Sequence, residues 1–193
     1  MRIHNLAIIC ENTNEYLSSD DIEILANSIA RINRLFKLNS PITLEFSVLS
    51  KMEPHYSMVY PGANAVTIGH SIYIFVDNIP EDLTELILHE YTHACIASRV
   101  RSACPLWLNE GLAVLLSGQA KKMYPKSPGD IDCFYSASYS TPYFYNYALY
   151  IVDLLVKTFT LPNIINALCN CTSFPDDSTL GIAAIKELTD ANL

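Results

Sequence analysis

The amino-acid sequence predicts an α+β fold in which a small mixed sheet near the N-terminus is followed by a mainly helical remainder. The predicted strands all lie within residues 1–77, together with one helix, whereas helical patterns dominate residues 78–193. Strands gathered first and helices afterwards are typical of this class. The chain has 193 residues, half of them hydrophobic, which is enough for the core of a single domain spanning 1–193.

The N-terminal part contains the predicted strands and one long helix. Ser18 or Ser19 can cap a helix that ends near residue 38, because isoleucine, leucine and phenylalanine recur there at three- and four-residue spacing. Residues 42–49 alternate between apolar and polar side chains, as expected of a half-buried strand. Three further strands are predicted at residues 3–10, 66–68 and 71–76. Two loops are predicted, one at Pro54 and one at Pro61-Gly62.

The C-terminal part is predicted to be a series of helices. Asn78 is expected to cap a helix over about residues 81–99, because proline and acidic residues suit its first turn. A second helix is expected from Pro105 to near Gly118, where glycine supplies a left-handed stop. Residues 119–142 have no clear period and are predicted to be a long loop. The last predicted helices are residues 143–159 and two shorter ones after Pro162 and Asp176.

Charge and composition exclude several classes of protein. Twenty acidic against twelve basic residues give a net charge of −8, and so acidic a chain lacks the basic surface of nucleic-acid-binding proteins. No apolar run reaches the ~18 residues of a membrane span, and the run at residues 6–10 is too short for a signal peptide. We therefore expect a cytoplasmic protein with no nucleic-acid partner and no membrane span. The six irregularly spaced cysteines are expected to be buried thiols rather than a disulfide framework.

The segment His89-Glu90-Tyr91-Thr92-His93 has the spacing of a metal site. In a helix, residues four apart lie one above the other, about 6 Å apart along the axis. Both imidazoles can therefore bind one zinc ion. Glu90 is rotated by about 100° from His89, so it need not be a ligand and can instead hold the zinc-bound water and take its proton. An ordinary pair of surface or core histidines is the alternative.

A third metal ligand is predicted at Glu110, within the segment WLNEGLA at residues 107–113. Sixteen residues separate it from His93, which is room for the end of one helix, a reversal and one turn of the next. Apolar side chains surround Glu110, and burying an unpartnered carboxylate among them would be costly and would favour its protonation. Metal ligation removes that cost. A solvent-facing helix acid is the alternative.

Together these two motifs resemble those of the gluzincin zinc peptidases. The resemblance is closest to the catalytic core shared by aminopeptidase-N-like enzymes and smaller bacterial peptidase-MA-like proteins, and it covers roughly residues 71–156. It implies a zincin-like fold and hydrolysis of a peptide or protein substrate. It also implies Zn²⁺ as the cofactor, with His89, His93 and Glu110 as the metal ligands and Glu90 as the general base.

The resemblance further implies a substrate-binding edge strand and a tyrosine that stabilises the oxyanion. Residues 71–76 match the edge strand that the family places above its cleft, where substrate adds as a further strand through main-chain hydrogen bonds. The tyrosine lies on a later helix in the family, and Tyr143 is the first match, with Tyr145 and Tyr147 as alternatives. Such a donor contributes about 3 kcal/mol. Simple packing is the other explanation for these tyrosines.

The sequence departs from the large aminopeptidases in two ways. Its spacer between His93 and Glu110 is slightly shorter, and it lacks the Gly-Ala-Met-Glu-Asn segment that anchors a substrate's free amino group. Endopeptidase activity is therefore expected, with an aminopeptidase as one alternative. A non-catalytic, zinc-containing binding or scaffold protein with a degenerate peptidase fold is another. The apolar helix predicted at residues 143–159 suggests a third, a membrane-peripheral or partner-bound protein.

Overall fold

The structure, a computed structural model, describes residues 1–9, 16–47 and 63–192. The chain divides into two compact units, Met1–Ser98 and Arg99–Leu193. Within the described residues, the first unit combines a five-stranded mixed sheet with helices, and the second unit is helical. The predicted α+β class is therefore confirmed.

The sheet of the first unit contains both parallel and antiparallel pairs. Its strands are β1 (Arg2–Ile3), β2 (Leu6–Ile9), β3 (Ile42–Ser47), β4 (Ala65–Ile68) and β5 (Ser71–Phe75). They lie in the order β1-β2-β3-β5-β4. The two inner pairs, β2 with β3 and β3 with β5, are parallel, and the two outer pairs are antiparallel. Leu44 and Ile72 are opposite each other and fully buried, so their face of the sheet meets the core.

Two predictions about these strands are wrong. The described part of the strand predicted at residues 3–10 belongs to a hairpin of Arg2–Ile3 and Leu6–Ile9, because His4 adopts a left-handed φ of 51° and turns the chain. Residues 71–76 are not an edge strand, because β5 lies between β3 and β4. The chain reverses at Gly69, whose φ is 60°, so β4 pairs along the outer side of β5. Among the described residues, β4 is the edge strand on this side of the sheet.

Helix α1 (Ser19–Phe36) follows the predicted bounds closely. The Ser18 hydroxyl caps it by accepting a hydrogen bond from the Asp21 backbone amide, and the Asp21 carboxylate accepts one from the Ser18 backbone amide, which completes a capping box. Lys37 ends the helix in a left-handed conformation. The buried side chains of α1 recur at three- and four-residue spacing, as the sequence predicted: Leu25, Ile29, Ile32 and Phe36.

Helix α2 (Leu83–Arg99) begins two residues later than predicted, and Asn78 does not cap it. Asn78 instead ends a short 3-10 helix, Val76–Asn78. Its side-chain amide donates to the carbonyl of Ala63 at 3.1 Å, so this polar side chain ties the entry of the β4–β5 hairpin to the segment that follows it. Asp21 accepts a hydrogen bond from Thr84 at 3.0 Å, which connects the starts of α1 and α2.

The second unit contains the predicted helices and one that was not predicted. Helix α3 (Leu106–Ser117) lies between Pro105 and a left-handed Gly118, as expected. The segment 119–142 is not wholly a loop, because it contains a 3-10 helix, Gln119–Lys122, and a short helix, α4 (Ile131–Tyr135), capped by the Asp130 side chain. The remaining helices confirm the predictions: α5 (Phe144–Phe159), α6 (Leu161–Asn170) and α7 (Ile182–Asp190).

Three other predictions bear on thiols, loops and apolar helices. Every cysteine in the described part of the chain is a free thiol, as expected, but the predicted burial is correct only for Cys95 and Cys171, and Cys133 is exposed. Several predictions fall outside the described residues, namely those for Cys10, for the end of strand 42–49 and for the loops at Pro54 and Pro61-Gly62.

Across residues 1–9, 16–47 and 63–192, no single helix is both long and apolar enough to cross a membrane. Helices α5 and α6 meet those criteria only as a pair, and the chain bends by 105° between them.

Candidate metal centre

The histidine motif occupies the middle of α2 and is largely shielded from solvent. His89 and Glu90 are buried, each with 9% of its surface exposed, and His93 is half-buried. Helical spacing places the two histidines on one face, and their rings meet edge to face with centroids 4.7 Å apart. The local structure that the motif requires is therefore present.

His89, Glu90 and His93 form a compact group of metal-ligating atoms. Each residue offers one such atom, and these atoms all lie within 4.8 Å of one another. Zinc bonds nitrogen at about 2.0–2.1 Å and carboxylate oxygen at about 2.0–2.2 Å. Donors within this separation are close to the spacing that a shared ion requires. Imidazole and carboxylate are also donors that zinc accepts.

The Glu90 carboxylate is held by a residue of the sheet. Thr67 Oγ1 donates to Glu90 Oε2 at 2.6 Å and lies 3.1 Å from the backbone carbonyl oxygen of the same residue. Thr67 pairs with Ile72 across β4 and β5, so the two side chains share the buried face of the sheet. This contact fixes α2 beneath the edge strand β4.

Tyr91 anchors the other side of α2. It is fully buried, and its hydroxyl lies 2.6 Å from both Asn5 Oδ1 and Asn33 Oδ1. Asn33 in turn donates to Asn5 Oδ1 at 2.6 Å. Burial raises the pKa of the Tyr91 hydroxyl, with a smaller contribution from Cys95, so the phenol stays protonated and remains a donor. The network joins the motif helix to the β1–β2 turn and to α1.

Glu110 lies on α3 in the second unit and is almost fully buried, with 2% of its surface exposed. Its Oε1 accepts a hydrogen bond of 2.8 Å from the Tyr139 hydroxyl. The next residue, Gly111, allows α3 to lie directly against α5. A Cβ at that position would be 2.6 Å from Val152 Cγ2 and 2.7 Å from the Ala148 carbonyl oxygen. The predicted alternative of a solvent-facing acid does not describe Glu110.

Tyr143, the predicted oxyanion donor, lies at the start of α5 in the second unit. It has a left-handed φ of 59° and is 61% exposed. The ammonium of Lys126 lies over its ring, 3.9 Å from the centroid. Of the two alternatives, Tyr145 is exposed and Tyr147 is half-buried. The ring of Tyr147 packs edge to face on Phe134, with centroids 5.7 Å apart.

Two residues beside the motif carboxylates were not predicted from the sequence. Thr67 stands between Val66 and Ile68, and strict alternation would place a lone polar side chain on the solvent face. Tyr139 belongs to a tyrosine-rich stretch that packing alone explains. Each residue is recognised only by the closeness of its hydroxyl group to a buried carboxylate in the folded chain. The sequence alone does not show that these residues are close together.

Comparisons with protein-family models, with curated proteins and with solved structures find no significant match for this chain.

Proposed function

We propose that the protein is a zinc-dependent peptidase of the gluzincin type, which hydrolyses peptide bonds and acts as an endopeptidase. The observation that carries the proposal is the group His89, Glu90 and His93, whose ligating atoms lie within 4.8 Å of one another on one helix. The spacing of the motif and its likeness to the gluzincins supply the reaction class. The proposed metal ligands are His89, His93 and Glu110.

The burial of Glu110 supports its assignment as the third ligand. A carboxylate with 2% of its surface exposed carries a large desolvation cost. A bound cation would stabilise its charged form and offset that cost. Three protein ligands also suit a catalytic site better than a structural one, since structural zinc sites are usually closed by four.

When bound at such a site, zinc acts as a Lewis acid that polarises a carbonyl and lowers the pKa of water to about 7. Glu90 would take a proton from the attacking water and later donate it to the leaving amine nitrogen. A general base must lie within hydrogen-bonding distance of the proton that it takes. The hydrogen bond from Thr67 restrains the Glu90 carboxylate and so supports this role. Tyr143 is the proposed donor to the oxyanion, with Tyr145 and Tyr147 as alternatives.

The proposed substrate is a peptide in extended conformation, bound along β4. This strand replaces residues 71–76 in that role, because an added strand needs an edge, and among the described residues β4 is the edge on this side. Main-chain hydrogen bonds would supply affinity without demanding a particular sequence. Because Thr67 on β4 contacts Glu90, a peptide held by this strand would lie near the proposed base.

The test is a metal assay on the purified protein combined with cleavage of an unbiased peptide library. We expect about one zinc per chain and cleavage at internal bonds that chelation abolishes and zinc restores. Stepwise release of single N-terminal residues would favour an aminopeptidase instead. A protein that binds zinc but cleaves no member of the library would contradict the proposal.

One rival function has a specific observation in its favour. The Glu90 carboxylate belongs to the group of potential ligands, so a non-catalytic site could use it as a third donor beside the two histidines. In that case the protein would be a zinc-containing binding or scaffold protein. Zinc affinity distinguishes the two, because Glu90→Gln would weaken binding only where Glu90 is a ligand.

A further inference from the structure

The Thr67 hydroxyl is directed at the carboxylate of Glu90. It lies 2.6 Å from Oε2 and 3.1 Å from the backbone carbonyl oxygen of Glu90. A threonine hydroxyl has a single proton to donate. The shorter contact is made to the charged acceptor, and such hydrogen bonds are roughly twice as strong as those between neutral groups. The proton is therefore directed mainly at the carboxylate.

The position of this hydroxyl is well constrained. Threonine is branched at Cβ, which restricts its χ1 rotamers. Its backbone belongs to β4, which pairs with β5 so that Thr67 lies opposite the fully buried Ile72. The hydroxyl is thus carried by a residue whose backbone is paired with β5 in the sheet. It restrains the longer Glu90 side chain more than Glu90 restrains it.

The contact uses one carboxylate oxygen and leaves the other available. Thr67 engages Oε2 of Glu90, and within the described part of the chain Oε1 has no hydrogen-bonding partner. A general base needs one oxygen within hydrogen-bond reach of the proton that it abstracts. Fixing Oε2 reduces the number of orientations that Oε1 can adopt.

We propose that Thr67 is a positioning residue, which holds Glu90 through Oε2 so that Oε1 is presented to the attacking water. The inference rests on the proposed peptidase function. It adds that β4 does more than offer an edge for a peptide, since the same strand orients the base. A displacement of about 1 Å at a reacting group can cost about 100-fold in rate.

The first experiment compares Thr67→Val with Thr67→Ser in the full-length, zinc-loaded protein. Valine keeps the branched shape and removes the hydroxyl, whereas serine keeps the hydroxyl and removes the methyl group. We expect Thr67→Val to lower kcat by about 10- to 100-fold with KM and zinc content unchanged. Thr67→Ser should retain kcat within about threefold. A purely structural tie between β4 and α2 predicts wild-type kcat in every variant that folds.

The second experiment measures the contact without any catalysis. A double-mutant cycle of Thr67→Val and Glu90→Ala is followed by urea unfolding of the zinc-free protein. We expect the two changes to be coupled by about tenfold in the unfolding equilibrium constant, as for a hydrogen bond to a charged group. Additive effects would overturn the proposal. If Thr67→Val does not fold, the test uses Thr67→Ser. A loss of kcat beyond tenfold in that variant would also overturn the proposed positioning role.

These outcomes separate the two proposals. Wild-type kcat in folded Thr67→Val, with an active wild-type enzyme, would overturn the role of Thr67 and leave the peptidase function standing. A wild-type protein that cleaves nothing with zinc bound would overturn the peptidase function, and the positioning role with it, even if the cycle shows coupling.

Discussion

The two motif carboxylates, Glu90 and Glu110, are both buried and both accept a hydrogen bond from a hydroxyl group, yet the two donors belong to different kinds of structure. Thr67 lies on a paired strand and reaches Glu90 with a short, stiff side chain. Tyr139 lies in the irregular segment between α4 and α5 and reaches Glu110 with a long side chain that is 46% exposed. The first donor is positioned by backbone pairing, whereas the second depends on packing around a connecting segment.

This difference separates the roles proposed for the two acids. A base that moves a proton needs a defined direction, which a residue within a sheet can provide. A metal ligand receives its direction from the ion as well, so its partner can be less rigid. The packing of Gly111 against α5 adds a second constraint on Glu110 that comes from the backbone of α3 itself.

The largest expected effect comes from neutralising each acid in turn. Glu90→Gln should lower peptide hydrolysis by about 10²- to 10⁴-fold while zinc stays bound, because only proton transfer is lost. Glu110→Gln should release zinc, with an affinity loss greater than the ~10–100-fold that follows loss of a partner of a metal ligand. Zinc content and turnover measured on both variants check the contrast. Loss of zinc in Glu90→Gln and its retention in Glu110→Gln would reverse the assigned roles.

Removing single tyrosine hydroxyls should give smaller and distinct effects. Tyr139→Phe should weaken zinc binding by about 10–100-fold, because a hydrogen bond that helps to orient Glu110 is lost. Tyr143→Phe should leave zinc binding intact and lower kcat by about 100-fold if it donates to the oxyanion. Competition with a chelator and steady-state kinetics provide the two readouts, and Tyr124→Phe, at an 87% exposed position, is the control. Wild-type turnover in Tyr143→Phe would direct the search to Tyr145 and Tyr147.

The close approach of α3 and α5 can be tested through stability. Gly111→Ala should destabilise the protein by about 1–3 kcal/mol, because the added Cβ would lie 2.6 Å from Val152 Cγ2 and 2.7 Å from the Ala148 carbonyl oxygen. Gly129→Ala is the matched control, since nothing lies within 4 Å of its Cβ position. Urea unfolding curves measure both. Equal midpoints would show that packing at Gly111 does not constrain the Glu110 helix.

The smallest expected effect concerns the cap of α1, which also contacts the start of α2. Hydrogen bonds from Ser18, chiefly from its side chain, lower the pKa of Asp21 from its usual value of 3.8, and Thr84 contributes to the same shift. Because the folded-state pKa lies below the unfolded one, this stabilisation is present above pH 4 or so and is lost as the pH falls through the folded-state pKa. Asp21→Asn should lower the stability slightly at neutral pH and flatten its decline in that acid range, because the contribution of the ionised carboxylate is removed. Unfolding midpoints between pH 2 and 6 provide the measurement, and an unchanged slope would contradict it.

Local interactions account for what the sequence predicted well. The bounds of α1 and α3 follow from Ser18, Pro105 and Gly118, which act within one or two turns of the chain. The clustering of His89 and His93 follows equally from helical periodicity. These features require no knowledge of distant contacts.

Strand order and the carboxylate partners depend on contacts between distant segments, and the sequence did not reveal them. The apolar pattern of residues 71–76 is the same for an inner strand as for an edge strand, so β5 could be recognised as a strand but not located in the sheet. Thr67 and Glu90 are 23 residues apart, and Glu110 and Tyr139 are 29 residues apart. The periodicity of side chains along the sequence indicates local structure and does not identify contacts between residues so far apart. The assignments of Glu110 and Tyr143 as site residues remain predictions.

The reversal at Gly69 places a tight constraint on how this hairpin can vary in length. Successive side chains on a strand point to opposite faces, so moving the pairing by one residue would exchange every inward and outward position on β4. A residue inserted between Thr67 and Gly69, with the pairing preserved beside the turn, would place the inserted residue or Ile68 opposite Ile72, where Thr67 now contacts the Glu90 carboxylate.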